Sequence, residues 1–353
     1  MSRFFSRNFA ALTPYTPGEQ PQDQPYVKLN TNESPFPPSA KAQRAAAEAA
    51  TSLQLYPDPT CRAIREKLAA LYGLSADEVM VTNGSDEVLN FAFMAFCDNG
   101  AIFPDITYGF YRVFADLYRI PCEEIPLQED FTIAIADYKG RKETAFIANP
   151  NAPTGIPLSV SEIEEIVVSN PDRVVVVDEA YVDFGGESCA PLVRKYDNLL
   201  VTGTFSKSRS MAGARLGFGF ASPQLIADLE TLRYSTNPYN INRLTMAAGI
   251  GQLADEEETR RNCQTIIDNR TYTTAALEKM GFSVLPSAAN FVFATTEQIG
   301  GQELYLRLKE KGILVRHFDK PRLKEYNRIT VGSRAQMDAL LTAIKEILED
   351  DFQ

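Results

Sequence analysis

A chain of 353 residues is too long for one small domain and suits a large domain followed by a smaller one. The formal net charge of −11, with no Lys/Arg cluster to offset it, argues against a nucleic-acid-binding protein. The five scattered cysteines form no CxxC pair and His317 is the only histidine, which argues against a disulfide framework and a metal site. We see no signal peptide and no apolar run as long as a membrane span, so we expect a cytoplasmic protein.

The N-terminal segment, residues 1–38, is rich in Pro, Gln and Asn and predicts an arm that wraps over another part of the protein. Its polar stretch 28–35 could line a site or could be a solvated loop. An alanine-rich helix is predicted at 39–53, and a second helix at 61–72 could be capped by Thr60.

A glycine turn follows a strand predicted at 77–82 and opens an apolar helix. In this turn, Asn83-Gly84-Ser85-Asp86-Glu87, free backbone N–H groups and the positive end of the helix dipole would make an anion site. Capping of the helix by Ser85 or Asp86 explains the same residues equally well. The chain has no GxxxxGK[ST] sequence, so this turn is not a Walker loop.

Other predicted strands also end in residues that could line a crevice. The run Val174-Val175-Val176-Val177 has no polar alternation, is typical of a strand buried on both faces, and ends at Asp178. An acid at the carboxyl end of such a strand points into the crevice where α/β proteins bind ligands. Tyr108 follows another strand and could stack on a flat ring, although most aromatic side chains belong to cores. Asn151 lies in a two-proline turn after a strand at 144–148.

The stretch 204–217 follows an apolar strand and holds Lys207 beside Ser206 in a small, hydroxyl-rich turn. A lysine in this setting suits covalent work on a carbonyl, because its neutral amine can form a Schiff base. A surface loop that happens to contain Lys, Arg and Ser would look the same. Asp178 favours the covalent interpretation, since a Schiff-base lysine with an acid for the pyridinium nitrogen is the usual protein contribution to pyridoxal phosphate chemistry.

Strands alternate with helices from about residue 60 to 245, which predicts a mostly parallel α/β sheet with helices on both faces. A long charged helix at 255–280 would join it to a compact α+β region, in which a single strand is predicted at 313–318. We therefore expect an N-terminal arm at 1–38, a large domain at 39–250 and a small domain at 251–353. Part of the N-terminal segment would pack with the small domain.

Six motifs together resemble those of the fold-type I pyridoxal-phosphate aminotransferases, and within them the histidinol-phosphate aminotransferases. The resemblance covers nearly the whole chain, and six motifs in this order and spacing are far more specific than any one of them. It implies the type I fold, with a mostly parallel seven-stranded sheet in the large domain and a smaller α+β domain. The motifs are Tyr56-Pro57-Asp58-Pro59, Asn83-Gly84-Ser85-Asp86-Glu87, Asn151-Ala152-Pro153-Thr154-Gly155, Asp178-Glu179-Ala180-Tyr181, Ser206-Lys207 with Arg215, and Arg328-Ile329-Thr330-Val331-Gly332.

The resemblance also implies a role for each matching residue. Lys207 would hold pyridoxal 5′-phosphate covalently and would later move a proton from the substrate carbon to the cofactor. Asp178 would keep the pyridine nitrogen protonated, and Tyr181 would hydrogen-bond the phenolic oxygen. Tyr108 would stack on the ring, and Tyr56 would reach the phosphate from the partner subunit of a homodimer. The other residues implied at the phosphate are Gly84, Ser85, Asp86, Ser206 and Arg215.

One position departs from the family pattern. The family usually has an asparagine just before Pro-Thr-Gly that contacts the phenolic oxygen, and here that position is Ala152. Either Tyr181 makes the contact alone, or Asn151 reaches in from the neighbouring position.

The resemblance implies an enzyme of histidine biosynthesis that moves an amino group between L-histidinol phosphate and 2-oxoglutarate. Arg328 would bind the substrate phosphate with help from Arg316 and Tyr15, although Arg316 could equally be a surface residue. Two alternatives stay open: an aromatic aminotransferase acting on Phe and Tyr and, more distantly, a phosphothreonine-type decarboxylase. In each case the ligands are small molecules, with no nucleic acid, membrane or metal.

Overall fold

The computed structural model describes residues 2–10 and 12–350, which form three sheets and the helices packed on them. In chain order the strands are β1 (Val27–Lys28), β2 (Val79–Thr82), β3 (Ala101–Pro104), β4 (Cys122–Ile125), β5 (Thr144–Ala148), β6 (Val175–Asp178), β7 (Leu199–Thr204), β8 (Gly217–Phe220), β9 (Ser283–Val284), β10 (Phe291–Thr295), β11 (Ile313–Leu314), β12 (Arg316–His317) and β13 (Asn327–Thr330). The α-helices are α1 (Ala40–Ala49), α2 (Arg62–Tyr72), α3 (Ser85–Phe96), α4 (Phe110–Tyr118), α5 (Val160–Ser169), α6 (Pro223–Thr236), α7 (Arg243–Leu253), α8 (Glu256–Lys279), α9 (Gly301–Glu310) and α10 (Arg334–Asp350).

The largest sheet has seven strands in the order β2-β8-β7-β6-β5-β3-β4. Strands β7, β6, β5, β3 and β4 are mutually parallel, whereas β8 runs antiparallel to both of its neighbours. Every residue of β6 and β7 is buried, because helices cover both faces, and this explains the apolar runs without alternation. The predicted mostly parallel seven-stranded sheet is confirmed.

The polar residues at the ends of the parallel strands lie at one edge of this sheet. Asp178 is the last residue of β6, and Lys207 lies three residues after the end of β7. The two strands are paired in register, with Asp178 opposite Thr202. Since parallel strands share one carboxyl edge, the side chains that follow them meet in one crevice.

A four-stranded antiparallel sheet, ordered β12-β13-β10-β9, forms a second core with α8, α9 and α10. Leu29 and Phe36 of the N-terminal arm pack in this core, and β1 pairs in parallel with β11. The arm is therefore attached to the smaller sheet. The boundaries predicted for the three segments stay predictions, and residues 1, 11 and 351–353 lie outside the described part of the chain.

Several local expectations need correction. The single strand expected at 313–318 is two short strands, because β11 pairs with the arm while β12 pairs with β13. Thr60 does not cap α2. Cys61 adopts a left-handed φ of 48°, and the carboxylate of Asp58 accepts the Arg62 N–H at 3.0 Å instead. Strand β4 was not predicted, since its Cys122-Glu123-Glu124 segment is polar and lies at the sheet edge.

No described helix is long and apolar enough to cross a membrane.

Candidate active site

Two adjoining cavities lie at the carboxyl edge of the large sheet. The inner cavity, of about 400 Å³, is lined by Asp178, Ser206 and Arg215, among others. The outer cavity, of about 390 Å³, is lined by Arg316 and Arg328. The residues that line both are Thr31, Tyr108, Ala152, Tyr181 and Lys207. One continuous crevice therefore has Lys207 at its middle.

The two residues that follow Lys207 anchor the loop that carries it. The Ser208 hydroxyl donates to Asp183, and the buried Arg209 forms an ion pair with Glu256 at the start of α8. The Lys207 ammonium donates to the backbone carbonyl of Thr31 at 3.2 Å. Among the described residues Lys207 forms no salt bridge, so its amine stays available to a ligand.

Asp178 is a buried carboxylate without an ion-pair partner in the described part of the chain. Its two oxygens accept hydrogen bonds of 3.1 Å each, one from the Tyr111 hydroxyl and one from the Thr202 hydroxyl. Burial raises the pKa of Asp178 to about 6. The nearby charge of Asp86 also raises this pKa, whereas the two hydrogen bonds lower it. A cationic ligand group would relieve this desolvation cost.

The turn before α3 fits closely against the start of β8. Gly84 has a φ of 79°, and a Cβ added there would lie 2.7 Å from a guanidinium nitrogen of Arg215. A Cβ on Gly217 would lie 2.2 Å from the Ser85 nitrogen. These two glycines let the N-terminus of α3 approach Arg215, and together they form a cationic corner of the inner cavity.

The Asp86 side chain organises this corner rather than facing an anion. It forms a 3.1 Å ion pair with Arg215 and accepts the Tyr108 hydroxyl at 2.7 Å. Arg215 also donates to the Ser206 hydroxyl at 3.4 Å. Burial, followed by the charge of Asp86, raises the pKa of Tyr108 well above its usual range. The groups open to an anion are then the backbone N–H groups at the start of α3, Ser206 and the remaining N–H groups of the Arg215 guanidinium.

The outer cavity contains the predicted substrate arginines. Arg316 and Arg328 face each other on adjacent strands, β12 and β13. Arg328 donates one hydrogen bond, to the Asn30 carbonyl at 3.0 Å, while its buried Nε has no partner in the described residues. Burial lowers the pKa of Arg328, and the charge of Arg316 adds to this decrease. Tyr15 packs on Phe110 at 4.5 Å and closes one side of the cavity.

Two predicted site residues do not line this crevice. The Asn151 side chain is buried in its own turn, where it donates to Ile106 O at 3.0 Å and to Thr154 Oγ1 at 3.1 Å. The suggestion that Asn151 takes over the role of the family asparagine, whose position is Ala152 here, is therefore wrong. Both amide hydrogens of Asn151 are donated elsewhere. Tyr56 is 78% exposed and stacks on Tyr239 at 4.6 Å, away from the crevice of its own chain.

Three residues that contact the predicted site side chains were not predicted from the sequence. Tyr111 and Thr202 hold Asp178, but each falls within an apolar element and had no distinguishing signal. Asn32 donates its side-chain amide to the Tyr181 hydroxyl at 2.9 Å. Its position in the polar stretch 28–35 was the only indication. No cluster of three or more His, Cys, Asp or Glu side chains suitable for a metal occurs in residues 2–10 and 12–350.

Comparison with known proteins agrees with this geometry. The model of the family "Aminotransferase class I and II" matches residues 24–344. A histidinol-phosphate aminotransferase from Brachyspira hyodysenteriae is 46% identical, over 99% of this chain and 100% of that protein. Histidinol-phosphate aminotransferase 1 from Bordetella parapertussis is 50% identical, over 98% of this chain and 99% of that protein. The chain belongs to the histidinol-phosphate aminotransferase family of class I and II aminotransferases.

The fold of this aminotransferase also matches solved structures. The crystal structure of histidinol-phosphate aminotransferase from Sinorhizobium meliloti in complex with pyridoxal-5′-phosphate has a TM-score of 0.88. The match covers 99% of both chains at 22% sequence identity. At that identity the likeness establishes the fold, and it confirms the type I architecture.

The raised pKa of Asp178 makes a prediction for the cofactor-free protein. A folded-state pKa of about 6, above the usual 3.8, means that the folded protein binds this proton more tightly than the unfolded chain. The free energy of unfolding should then fall as the pH rises from about 4 to about 6, by up to ~3 kcal/mol. Asp178→Asn has no carboxyl group to titrate at this position, so its free energy of unfolding should not fall in this way. The variant should therefore be more stable than the wild type at about pH 8.

Denaturant unfolding of both cofactor-free proteins at several pH values measures the difference. Asp130→Asn is the matched control, because Asp130 is exposed and its Thr132 hydrogen bonds lower its pKa. Parallel stability–pH curves for the wild type and Asp178→Asn would contradict the burial effect.

Proposed function

We propose that this chain transfers an amino group from L-histidinol phosphate to 2-oxoglutarate, with pyridoxal 5′-phosphate held on Lys207. We further propose that it works as a cytoplasmic homodimer. Close full-length relatives that bear the name histidinol-phosphate aminotransferase support the reaction. The observation that carries the choice of substrate is the buried, partly unpaired guanidinium of Arg328 in a cavity lined by cations.

The inner cavity fits pyridoxal 5′-phosphate on three counts. Lys207 offers an amine without a salt bridge among the described residues, as covalent attachment requires. Asp178 is a buried carboxylate that needs a cation, and a protonated pyridine nitrogen supplies one. The N-terminus of α3, with Ser206 and Arg215, offers donors to a phosphate. When bound, the cofactor supplies an electron sink for the charge that develops on the substrate carbon.

The side chains of the crevice then have distinct tasks. Lys207 would take the proton from the substrate carbon as a neutral amine and pass it to the cofactor, and the Thr31 carbonyl would hold its ammonium form in place. Asp178 holds a proton on the pyridine nitrogen, while Tyr111 and Thr202 fix the orientation of its carboxylate. Tyr108 borders both cavities and would cover one face of the ring.

The outer cavity suits a dianionic substrate group. Its cationic lining residues are Lys207, Arg316, Lys320 and Arg328, and no carboxylate is among the described residues that line it. A phosphate monoester carries up to two negative charges and three acceptor oxygens, so it can bind both Arg316 and Arg328, which line this cavity. In the return half-reaction the side-chain carboxylate of 2-oxoglutarate would use Arg328 in a bidentate pair.

Arg316→Gln tests whether Arg316 recognises the substrate phosphate in the outer cavity, with two substrates that differ only in that phosphate. The rate constant for a single turnover with L-histidinol phosphate should fall about 10- to 100-fold, the effect of one charge-assisted hydrogen bond. The rate constant with L-histidinol, which lacks the phosphate, should stay nearly unchanged. Stopped-flow absorbance of the cofactor measures both.

Arg322→Gln is the control, because Arg322 donates to the backbone carbonyls of Leu127 and Gln128 and does not line the outer cavity. An equal loss for both substrates in Arg316→Gln, or no loss for either, would refute phosphate recognition by Arg316.

An exposed aromatic patch supports the homodimer. Tyr56, Tyr234 and Tyr239 are all exposed, and so are Leu53 and Leu55. They form one surface, since Tyr56 stacks on Tyr239 and the Tyr234 hydroxyl reaches the Pro59 carbonyl in the Tyr56-Pro57-Asp58-Pro59 turn. A patch of this kind is typical of a protein–protein interface. A second copy that covers this patch would contact Tyr56, and the family resemblance implies that Tyr56 then reaches the partner's phosphate site.

Complementation tests whether Tyr56 acts across such an interface. Lys207→Ala should have no turnover, and Tyr56→Ala should have little. Co-expression of the two variants should restore activity to about a quarter of the wild-type value, because about one site in four then has neither substitution. Steady-state rates of the purified mixture measure this. If Tyr56 serves the site of its own chain, the mixture will be no more active than the separate variants.

A further inference from the structure

A short piece of the N-terminal arm, residues 29–32, contacts three proposed functional side chains at once, and we refer to it as the strap. The Leu29 carbonyl first secures it to β13, where it accepts the Thr330 N–H at 2.9 Å. The functional contacts are Asn30 O with Arg328 Nη2 at 3.0 Å, Thr31 O with Lys207 Nζ at 3.2 Å, and Asn32 Nδ2 with Tyr181 Oη at 2.9 Å. The last is the only one of the three made by a side chain of the strap.

Asn32 is held in one conformation. It is 1% exposed and has a left-handed φ of 56°, which asparagine tolerates better than most residues. Its backbone N–H donates to the Thr330 hydroxyl at 3.0 Å, and its carbonyl accepts from Asn290 Nδ2 at 3.0 Å. Because both its backbone N–H and its carbonyl are hydrogen-bonded, Asn32 holds its side chain in one orientation.

Thr330 also determines which end of the Asn32 amide faces Tyr181. The Thr330 hydroxyl accepts the Asn32 N–H and donates its own proton to Asn32 Oδ1, each at 3.0 Å. The NH₂ end then faces Tyr181, whose phenol oxygen accepts at 2.9 Å. A phenol that accepts from Asn32 keeps its own proton free to donate elsewhere.

The free proton of Tyr181 is available to the crevice, since Tyr181 borders both cavities. Two cationic groups act on this side chain: the Lys207 ammonium lies 5.8 Å from the ring centroid, and Arg328 interacts with Tyr181 electrostatically. On the other side the ring packs edge-on against Phe291 at 5.1 Å, so it cannot swing freely. Cations next to the crevice favour a negatively charged acceptor for the Tyr181 proton.

We propose that Asn32 is a positioning residue that holds the Tyr181 hydroxyl as a hydrogen-bond donor to the ring oxygen of the bound cofactor. Neither Asn151 nor Ala152 of the two-proline turn can assist Tyr181, because Ala152 has only a methyl group and the Asn151 amide donates to Ile106 O and Thr154 Oγ1. This inference rests on the proposed function, since it requires pyridoxal 5′-phosphate in the inner cavity.

Asn32→Asp tests the proposal through the pH titration of the cofactor's visible absorbance. A carboxylate facing Tyr181 would accept the phenol proton, so the donor to the cofactor's ring oxygen would be lost. Since that donor favours the ionised oxygen, its loss should raise the pKa of the bound chromophore by about one pH unit, a tenfold change in the protonation equilibrium. In a Tyr181→Phe background the same substitution should shift this pKa by less than about half as much.

Asn30→Asp is the matched control, because it places the same charge on the strap, and the Asn30 side chain donates to the Glu19 carbonyl rather than to Tyr181. It should shift the pKa much less than Asn32→Asp. If Asn32→Asp does not fold, Asn32→Gly keeps the left-handed backbone and removes the amide. It should raise the pKa by a smaller amount that disappears in the Tyr181→Phe background.

Equal shifts with and without Tyr181, or equal shifts from Asn30→Asp and Asn32→Asp, would overturn the role of Asn32 and leave the proposed function standing. A wild-type protein that gains no visible absorbance with pyridoxal 5′-phosphate would overturn the proposed function and this inference together.

Discussion

The site depends on one constraint: parallel strands in register bring their carboxyl ends to the same edge of the sheet. Asp178 ends β6, and Lys207 follows β7 on a loop that Ser208 and Arg209 anchor. Neither side chain has a salt-bridge partner among the described residues. The backbone thus holds a buried acid and an amine next to a cavity, and the cost of keeping them unpaired is recovered when a ligand binds.

Charge divides the crevice into two parts. The inner cavity combines the acid Asp178 with a cationic corner at Arg215, which suits a ligand that has a basic ring nitrogen at one end and a phosphate at the other. The outer cavity has cations and no acid among its described lining residues, which suits the phosphate or carboxylate of a substrate. Lys207 lies where the two parts meet, so its amine is next to both.

The elements that could be predicted from the sequence were those with a local signal. The unbroken Val run ending at Asp178 and the apolar run before the Lys207 turn indicated two buried strands, and motif order indicated the fold. Contacts that depend on folding could not be predicted. Asn32 and Tyr181 are 149 positions apart, and Tyr111 looks like any core aromatic of an amphipathic helix. The split near residue 315 escaped prediction because the partner of β11 is the N-terminal arm, outside the local pattern.

The most direct test of the account is a half-reaction. The purified protein, loaded with pyridoxal 5′-phosphate, is mixed with L-histidinol phosphate and separately with L-phenylalanine, and the visible absorbance of the cofactor is followed by stopped flow. The absorbance should be lost rapidly with L-histidinol phosphate and slowly with L-phenylalanine, because only the phosphate can bind both Arg316 and Arg328. Comparable or faster loss with L-phenylalanine would contradict it and would make this chain an aromatic aminotransferase.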